Sequence, residues 1–514
     1  MLGVNLLQEK LSSPLFLLLC ALAVLLPLLA ALAARPAFRG KSPPLTAGNL
    51  PFIGSFGFFS ARWDFMRSAA AGSSSGNFAF HLGKHPVVGL SGEAGRRTFF
   101  ESSQLNLGAG YAVLFDSGPE LEQDSADEKI SKGFDAWFSR NIKSILRKER
   151  LMSALPTIMA DTRSRLLQLG PTGVTDPFDS IYKLVFLLTI RLVACREIAE
   201  SPAQLDKSLS LLQAIEASST PASVIAPWAP VPAKITRFLS GAKLYMMFKE
   251  LVDARHATGT REEDAMQELI DGGASTTNIM KFVLGAVFAA QLNSGINIAT
   301  QLCHLGANKE WHAKSLEEVR AVAAQHAPDA SAPLLEQLQH IPPDLWEHGF
   351  PLLDQSLRET IRMQLLGSSF RRNTSGKDVV IRHADGTPEV IPPGAFVAYN
   401  IADVHYNPRI FNSPTTWDPS RYDDDRAEDK KAPHSFVGWG SGAHPCLGVR
   451  MAKIEHNIMV AHFLAMFDWE LCAIDGSLMD TMPLPDLNSW TATKPKTPTR
   501  LRYTMKEEVL RMKA

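Results

Sequence analysis

The 514-residue chain has little cysteine, no excess of either charge, no internal repeat and no long linker. Its five cysteines, Cys20, Cys195, Cys303, Cys446 and Cys472, form no CxxC pair. That excludes a disulfide scaffold and leaves no zinc-ligand spacing. An odd, scattered set fits a reducing compartment, with Cys195, Cys303 and Cys472 read as packing residues. Lys and Arg total 52 and Asp and Glu total 53, so the basic excess of a nucleic-acid binder is missing. Charged residues make up 20% against 45% hydrophobic. A chain this apolar buries a large core and is not predominantly disordered.

One long apolar run is present. Pro14 to Ala34 reads PLFLLLCALAVLLPLLAALAA, 21 residues without a charge. As a helix it spans roughly 31 Å, the thickness of a bilayer core, with a kink at Pro27. Lys10 precedes it and Arg35, Arg39 and Lys41 follow, which sets the bulk of the chain in the cytoplasm. Ala31-Leu32-Ala33 resembles a signal cleavage site, but the run is too long and lacks a basic leader. The predicted organisation is a lumenal segment 1–13, a transmembrane anchor 14–34, a basic, proline-rich spacer 35–55 and one globular domain 56–514.

Within the globule, FAFHLGKHPVVGLSG reads as strands with turns. Lys129 to about Gln168, Leu205 to Ile215, Leu244 to Arg255, and segments 315–325 and 347–364 read as helices. Asn278 to Leu305 is a long apolar helix. Gln291, Asn293, Ser294 and Asn297 interrupt it, and amides are costly in lipid, so it is predicted as a buried core helix. Segment 378–400 alternates as short strands do, and the charge cluster 423–431 reads as a solvated loop. A last helix runs from Val449 to Phe467. The fold class is mainly α with small β-sheets.

The loop GWGSGAHPCLGVRMAKIE, 438–455, carries the strongest chemical signal. Glycines let a backbone approach a flat or bulky group closely. Cys446 stands just before a helix start, where free N–H groups stabilise a thiolate fit to be a metal ligand or nucleophile. Gly438-x-Gly440-x-x-Ala443 formally fits a dinucleotide fingerprint but has no βαβ unit around it. A serine-hydrolase elbow fails because Trp439 stands where GxSxG needs glycine. A buried, inert cysteine remains the bland alternative.

The loop resembles the cysteine-ligand loop of cytochrome P-450 enzymes, matched at Trp439, Gly442, His444, Cys446 and Gly448. Trp439 replaces the usual Phe, and His444 the usual Arg that pairs with a haem propionate. Upstream, Glu359-Thr360-Ile361-Arg362 matches the family's ExxR, and WDPSRY supplies Arg421 as the third member of its structural triad. ExxR alone is worth little; the order ExxR, strands, PxR-aromatic, cysteine loop is what identifies the resemblance. It covers nearly the whole chain. It implies the cytochrome P-450 fold and a haem (iron protoporphyrin IX) whose iron takes the Cys446 thiolate as axial ligand. It also implies a propionate-pairing arginine, here Arg371 or Arg372, and propionate contacts near Trp137 and Arg140.

In the family, the long helix passes over the haem and carries an acid and a threonine that relay protons. In this sequence FAAQLNSG, 288–295, sets Ala289 and Ala290 at the small positions, Leu292 at the acid and Asn293 at the threonine, followed by Ser294. An amide is a poor proton relay. Asn293 either meets oxygen or water, with Ser294 or an ordered water supplying the relay, or simply satisfies the helix backbone. The pattern resembles the branch with bile-acid-synthesis steroid hydroxylases and prostacyclin synthase. The resemblance implies a monooxygenase of lipophilic substrates (terpenoid, sterol, fatty acid or polyketide). Electrons come from an NADPH-dependent flavoprotein reductase, since the chain has no flavin or nicotinamide motif of its own. The alternatives are an isomerase that rearranges a peroxide without reductase, or a non-catalytic haem-thiolate ligand-binding protein. Val287, Phe288, Leu292 and residues near Phe370 and Trp490 are predicted to line the substrate pocket. The implied location is the endoplasmic reticulum membrane, single-pass, with the catalytic domain in the cytoplasm. There the sequon Asn373-Thr374-Ser375 never meets glycosylation machinery.

Overall fold

The computed structural model describes residues 35–38, 40–114, 133–226, 229–384, 386, 388–489 and 493–512, besides Ala23. The rest of the segments predicted as lumenal tail and anchor lie outside the described residues, as do Arg39, Lys129 and Trp490.

Helices dominate. Pro177–Val193 is buried on almost every side and forms the centre of the largest hydrophobic cluster. Its start is specified locally: Pro177 needs no N–H partner, and the Asp176 carboxylate accepts the Phe178 N–H at 2.9 Å. Packed around it are the helix Pro202–Ala217 and the long helix. The long helix runs as Thr276–Ala290, a π-turn Gln291–Gly295 and Ile296–Ala307. It is the one described helix long and apolar enough to cross a membrane, yet its apolar stretch is mostly buried in protein. The core-helix reading therefore stands. The predicted last helix is Val449–Met466, also nearly all buried. The pattern read over 129–168 is two helices, Phe134–Ile145 and Lys148–Leu167, broken at Leu146 and Arg147.

A seven-stranded sheet runs Asn49–Leu50, Gly54–Ser55, Phe78–Leu82, His85–Leu90, Phe396–Asn400, Ser368–Asn373 and Leu105–Asn106. The pair 85–90 with 396–400 is parallel, Val87 beside Phe396; the remaining pairs are antiparallel. A second sheet joins Phe467–Ala473, Thr499–Met505 and Thr172–Thr175. The alternation read over 378–400 yields the hairpin Val379–Arg382 with Pro388–Ile391, then Phe396–Asn400.

One loop assignment is corrected. Segment 423–431 is not simply solvated, because Glu428 is buried, bonding Arg421 at 2.6 Å and Arg426 at 2.9 Å. Asp429 pairs with Arg358 at 2.6 Å. Buried guanidiniums require counter-charges, and the acidic run supplies them. Asn373 of the sequon is likewise internal: its Nδ2 donates to the carbonyls of Lys377, Ile391 and Pro392. Cys195, Cys303 and Cys472 are buried among apolar neighbours, and burial pushes each thiol up.

Candidate active site

The helix Pro351–Gln364 places Glu359 and Arg362 one turn apart on its buried face. Arg362 Nε and Nη2 both donate to the Glu359 carboxylate at 2.8 Å. Arg421, carried on the short turn Pro419–Tyr422, donates from Nε to Glu359 Oε1 at 2.9 Å. The backbone N–H of Asp418 and the hydroxyl of Tyr422 complete the carboxylate's shell. One carboxylate thus clamps two guanidiniums in a dry setting, with charge-assisted bonds on every lone pair.

A residue the sequence reading missed links this clamp to the cysteine loop. Arg362 Nη1 donates to the His405 carbonyl at 2.6 Å, and His405 Nε2 accepts the Val437 N–H at 3.1 Å. Burial, aided by the Arg362 charge, lowers His405 to about 3, so the ring stays neutral and Nε2 stays an acceptor. Val437 stands one residue before the glycine loop. A lone histidine far from either motif carried no signal in the sequence.

The loop folds back as a small hairpin, Gly440–Ser441 against His444–Pro445. Two glycines are obligatory here. Gly440 has φ +69°, and a Cβ there would lie 2.3 Å from the His444 carbonyl; Gly442 has φ +58°, with a Cβ 2.1 Å from the Phe100 carbonyl. Both glycines make room for protein backbone. Ala443 N–H donates to that Phe100 carbonyl at 2.9 Å, docking the hairpin on the helix Gly92–Glu101. The Cys446 N–H donates to the Trp439 carbonyl at 2.7 Å. The Cys446 side chain is surface-accessible, unlike the other three described cysteines. Surrounding protein pushes its thiol up, and the Gly448 N–H at the helix start opposes this. A coordinated metal ion would favour the deprotonated sulfur.

His444 Nε2 lies 3.3 Å from the Leu105 carbonyl, which makes it the protonated nitrogen. Burial and the neighbouring Arg371 lower its pKa, so it is a neutral donor. Arg371 is the cation here. It is buried against the Phe99 ring at 4.6 Å, its Nε is unpartnered, and its Nη1 reaches only the adjoining Phe370 carbonyl. Among the described residues no carboxylate pairs with it. Arg372, next on the strand, faces the other side of the sheet, over Phe396. Of the two arginines the sequence left open, Arg371 meets His444 and Arg372 does not. Trp137 packs edge-on against Phe282 at 5.9 Å, and Arg140 is exposed.

On the long helix, Gly285, Ala289 and Asn293 recur every fourth residue as an accessible stripe of small side chains. Asn293 Nδ2 donates to the Ala289 carbonyl at 2.7 Å, occupying an acceptor beside the π-turn. Its amide thus serves the helix backbone. The turn is locked from behind: Gln291 Nε2 donates to the Tyr182 carbonyl, and a Cβ on Gly295 would strike the Tyr182 ring at 2.8 Å. Of the residues predicted to line the substrate pocket, Val287 is buried in the core, and Phe288 and Leu292 are half-buried.

The cytochrome P450 family profile matches residues 177–496. The cytochrome P450 monooxygenase AacuE of Aspergillus aculeatus is 35% identical over 448 residues, covering 86% of this chain and 88% of that one. The cytochrome P450 monooxygenase nsrP of Aspergillus novofumigatus is 34% identical over 462 residues, covering 88% and 89%. Retinoic acid bound CYP120A1, a cyanobacterial protein of solved structure, superposes with TM-score 0.69 at 19% identity, over 91% of this chain and 100% of that chain. The chain belongs to the cytochrome P450 family, whose cofactor is a haem held by a cysteine thiolate.

The residues present fit that group. Cys446 is the accessible sulfur, Arg371 is a buried cation without a carboxylate, and the Gly285-Ala289-Asn293 stripe leaves a side-chain-poor surface for a flat ring.

Proposed function

We propose that the protein is a membrane-anchored haem-thiolate monooxygenase acting on a lipophilic small molecule, with Cys446 as the residue that would hold the haem iron. The observation that carries this is the accessible Cys446 thiol on a loop braced, through Val437 and His405, by the buried Glu359, Arg362 and Arg421 clamp. When bound, the haem supplies the activation of dioxygen and the transfer of one oxygen atom to substrate. The protein's own residues do the rest. Gly448 N–H donates to the Cys446 sulfur and tempers its electron donation. Arg371 would neutralise a propionate, with His444 as a neutral donor, and Trp439 and Gly442 would shape the loop that holds the group. Arg372 is left to the opposite sheet face.

The relatives named monooxygenases support the reaction type. An NADPH-dependent flavoprotein reductase supplies the electrons. A concavity next to the cysteine helix is lined by Lys143, Arg147, Lys148 and Arg450 together with Glu149 and Glu347 around Leu447, a mixed-charge surface on which the reductase could dock. The substrate class is a terpenoid, sterol, fatty acid or polyketide of secondary metabolism. The anchor at 14–34 holds the enzyme in the endoplasmic reticulum membrane, with domain 56–514 in the cytoplasm. A peroxide rearrangement without reductase is the second reading, favoured by Leu292 and Asn293 standing where a proton relay would be. The test is expression of the full chain in microsomes with and without reductase. NADPH-dependent product and a thiolate-type absorption band of the reduced, carbonyl-bound protein are expected. Turnover that is indifferent to reductase selects the rearrangement.

A further inference from the structure

The hairpin before Cys446 carries a serine for which the haem site has no use. Ser441 stands near its tip, half-buried, between the exposed Gly440 and Gly442. Its Oγ lies 2.6 Å from His434 Nδ1. The other ring nitrogen, Nε2, lies 3.0 Å from Glu101 Oε1. A carboxylate only accepts, so Nε2 carries the ring proton and Nδ1 is left to accept the Ser441 O–H. Hydroxyl, base and orienting acid are thus joined in that order. The ring nitrogens are exchanged relative to the usual triad, but the path of the proton is the same. The sequence has no serine-hydrolase elbow. A hairpin turn, the segment at 434 and the end of the helix Gly92–Glu101 supply the three groups instead.

The loop is seated without these bonds. Ala443 N–H already docks the hairpin on the Phe100 carbonyl. Arg96 Nε donates to the Pro433 carbonyl at 2.9 Å, and Ser435 closes the turn on Ala432. His434 sits in that turn at φ +53°, the left-handed region that disfavours a branched or bulky side chain. Strain of this kind collects where a side chain has a task. The ring stacks on Phe100, centroids 5.5 Å apart, and is 13% exposed, so its orientation is fixed. Glu101 is half exposed, with Arg97 Nη1 3.8 Å from it and Arg97 Nε on Glu93. Among the described residues Gly442 N–H makes no backbone hydrogen bond. As the amide next to the hydroxyl in the chain, it is free for a carbonyl oxygen.

We propose that Ser441, His434 and Glu101 form a second, haem-independent site, which hydrolyses short-chain activated carboxylic esters. Ser441 Oγ bonds to the ester carbonyl carbon while its proton passes to His434 Nδ1. The bond from that carbon to the alcohol oxygen breaks, and the alcohol leaves with the proton from Nδ1. Water then adds to the acyl-serine, giving a proton to Nδ1. The Oγ–acyl bond breaks, Oγ recovers that proton, and the carboxylic acid leaves. Ester and water become acid and alcohol, and nothing is oxidised or reduced. Ser441 and His434 are catalytic residues, and Glu101 is a positioning residue. The open hairpin tip, flanked by glycines, has no deep cleft for a long acyl chain, which is why the ester is a short one.

The test uses the full-length, haem-loaded protein in phospholipid vesicles. A fluorophosphonate probe should label Ser441, located by peptide mass spectrometry, and 4-nitrophenyl acetate should release 4-nitrophenolate with an initial burst. Ser441→Ala should lose both the label and the burst. His434→Asn keeps a residue that tolerates the left-handed turn but supplies no base, and should slow labelling by about 100-fold, the low end for a positioned base. Glu101→Gln should slow it less, with unchanged circular dichroism, and Glu101→Asp should restore part of the rate. No label on Ser441 in the wild type, or a wild-type labelling rate in His434→Asn, overturns the proposal and leaves the three residues as a structural tie. If His434→Asn loses its helical circular dichroism, a wild-type labelling rate in Glu101→Gln overturns it instead. The thiolate-type absorption band, recorded on the same samples, reports on the haem-thiolate reading separately.

Discussion

At the scale of single residues, the site divides chemical labour between groups that look alike in sequence. Arg371 and Arg372 are neighbours, yet strand alternation buries one beside His444 and turns the other onto Phe396. Arg371→Ala should therefore lower haem retention during gel filtration, and Arg372→Ala should leave it unchanged. Equal losses in both would refute the assignment of Arg371. Cys446→Ala is expected to abolish the thiolate-type band of the reduced, carbonyl-bound protein while circular dichroism stays helical, because backbone hydrogen bonds from Cys446 and Ala443 hold the loop.

At the scale of elements, the carboxylates at the clamp fix how the ExxR helix, the 419–430 turns and the cysteine loop meet. Glu359→Gln leaves two buried guanidiniums short of charge, and about 3–5 kcal/mol of stability should be lost. A denaturant titration read by circular dichroism measures it. Glu428 adds a pH dependence. Burial pushes its carboxyl up, but hydrogen bonds from Arg426 and Arg421 outweigh that and hold it below 4.5. A depressed folded value stabilises the protein above the unfolded value, and the gain is lost as pH falls through the folded one. Thermal melts should thus drop on the acid side of 4.5, with a shallower drop in Glu428→Gln. A variant with wild-type acid dependence would show that Glu428 is not the group responsible.

At the scale of the whole molecule, apolar side chains remain at the surface near the predicted anchor: Leu45, Leu50, Phe52, Ile53 and Phe56. Ile235, Phe238, Leu239 and Met246 are also exposed, on the helix Pro232–Thr258. Exposed apolar side chains next to an anchor favour contact with lipid. Removal of residues 1–34 should weaken membrane association yet leave part of the protein with vesicles, and haem content should not change. Complete release into the soluble fraction would show that the anchor alone holds the protein there.

Much of this was legible from local pattern. Helices such as Pro177–Val193 and Val449–Met466 follow from apolar periodicity and caps, which act over a few residues. The order of ExxR, PxR-aromatic and the cysteine loop is likewise a linear property, and it pointed to the haem-thiolate family before any coordinate. What pattern misread was set by partners distant along the chain. The acidic run 423–431 looked solvated because its charge is local, while the arginine that draws Glu428 inward is anchored by a carboxylate on another helix. His405 joined the site through Arg362, 43 residues upstream. Glu101, His434 and Ser441 looked unrelated until packing set them in one line of hydrogen bonds. The chemistry the chain can perform was thus written in residue types and their order, since ligand identity is covalent. Which arginine stays unpaired, which histidine stays neutral and which serine meets a base were decided by tertiary packing. Burial and charge pairing depend on what the folded chain brings alongside, and no local stretch contains that.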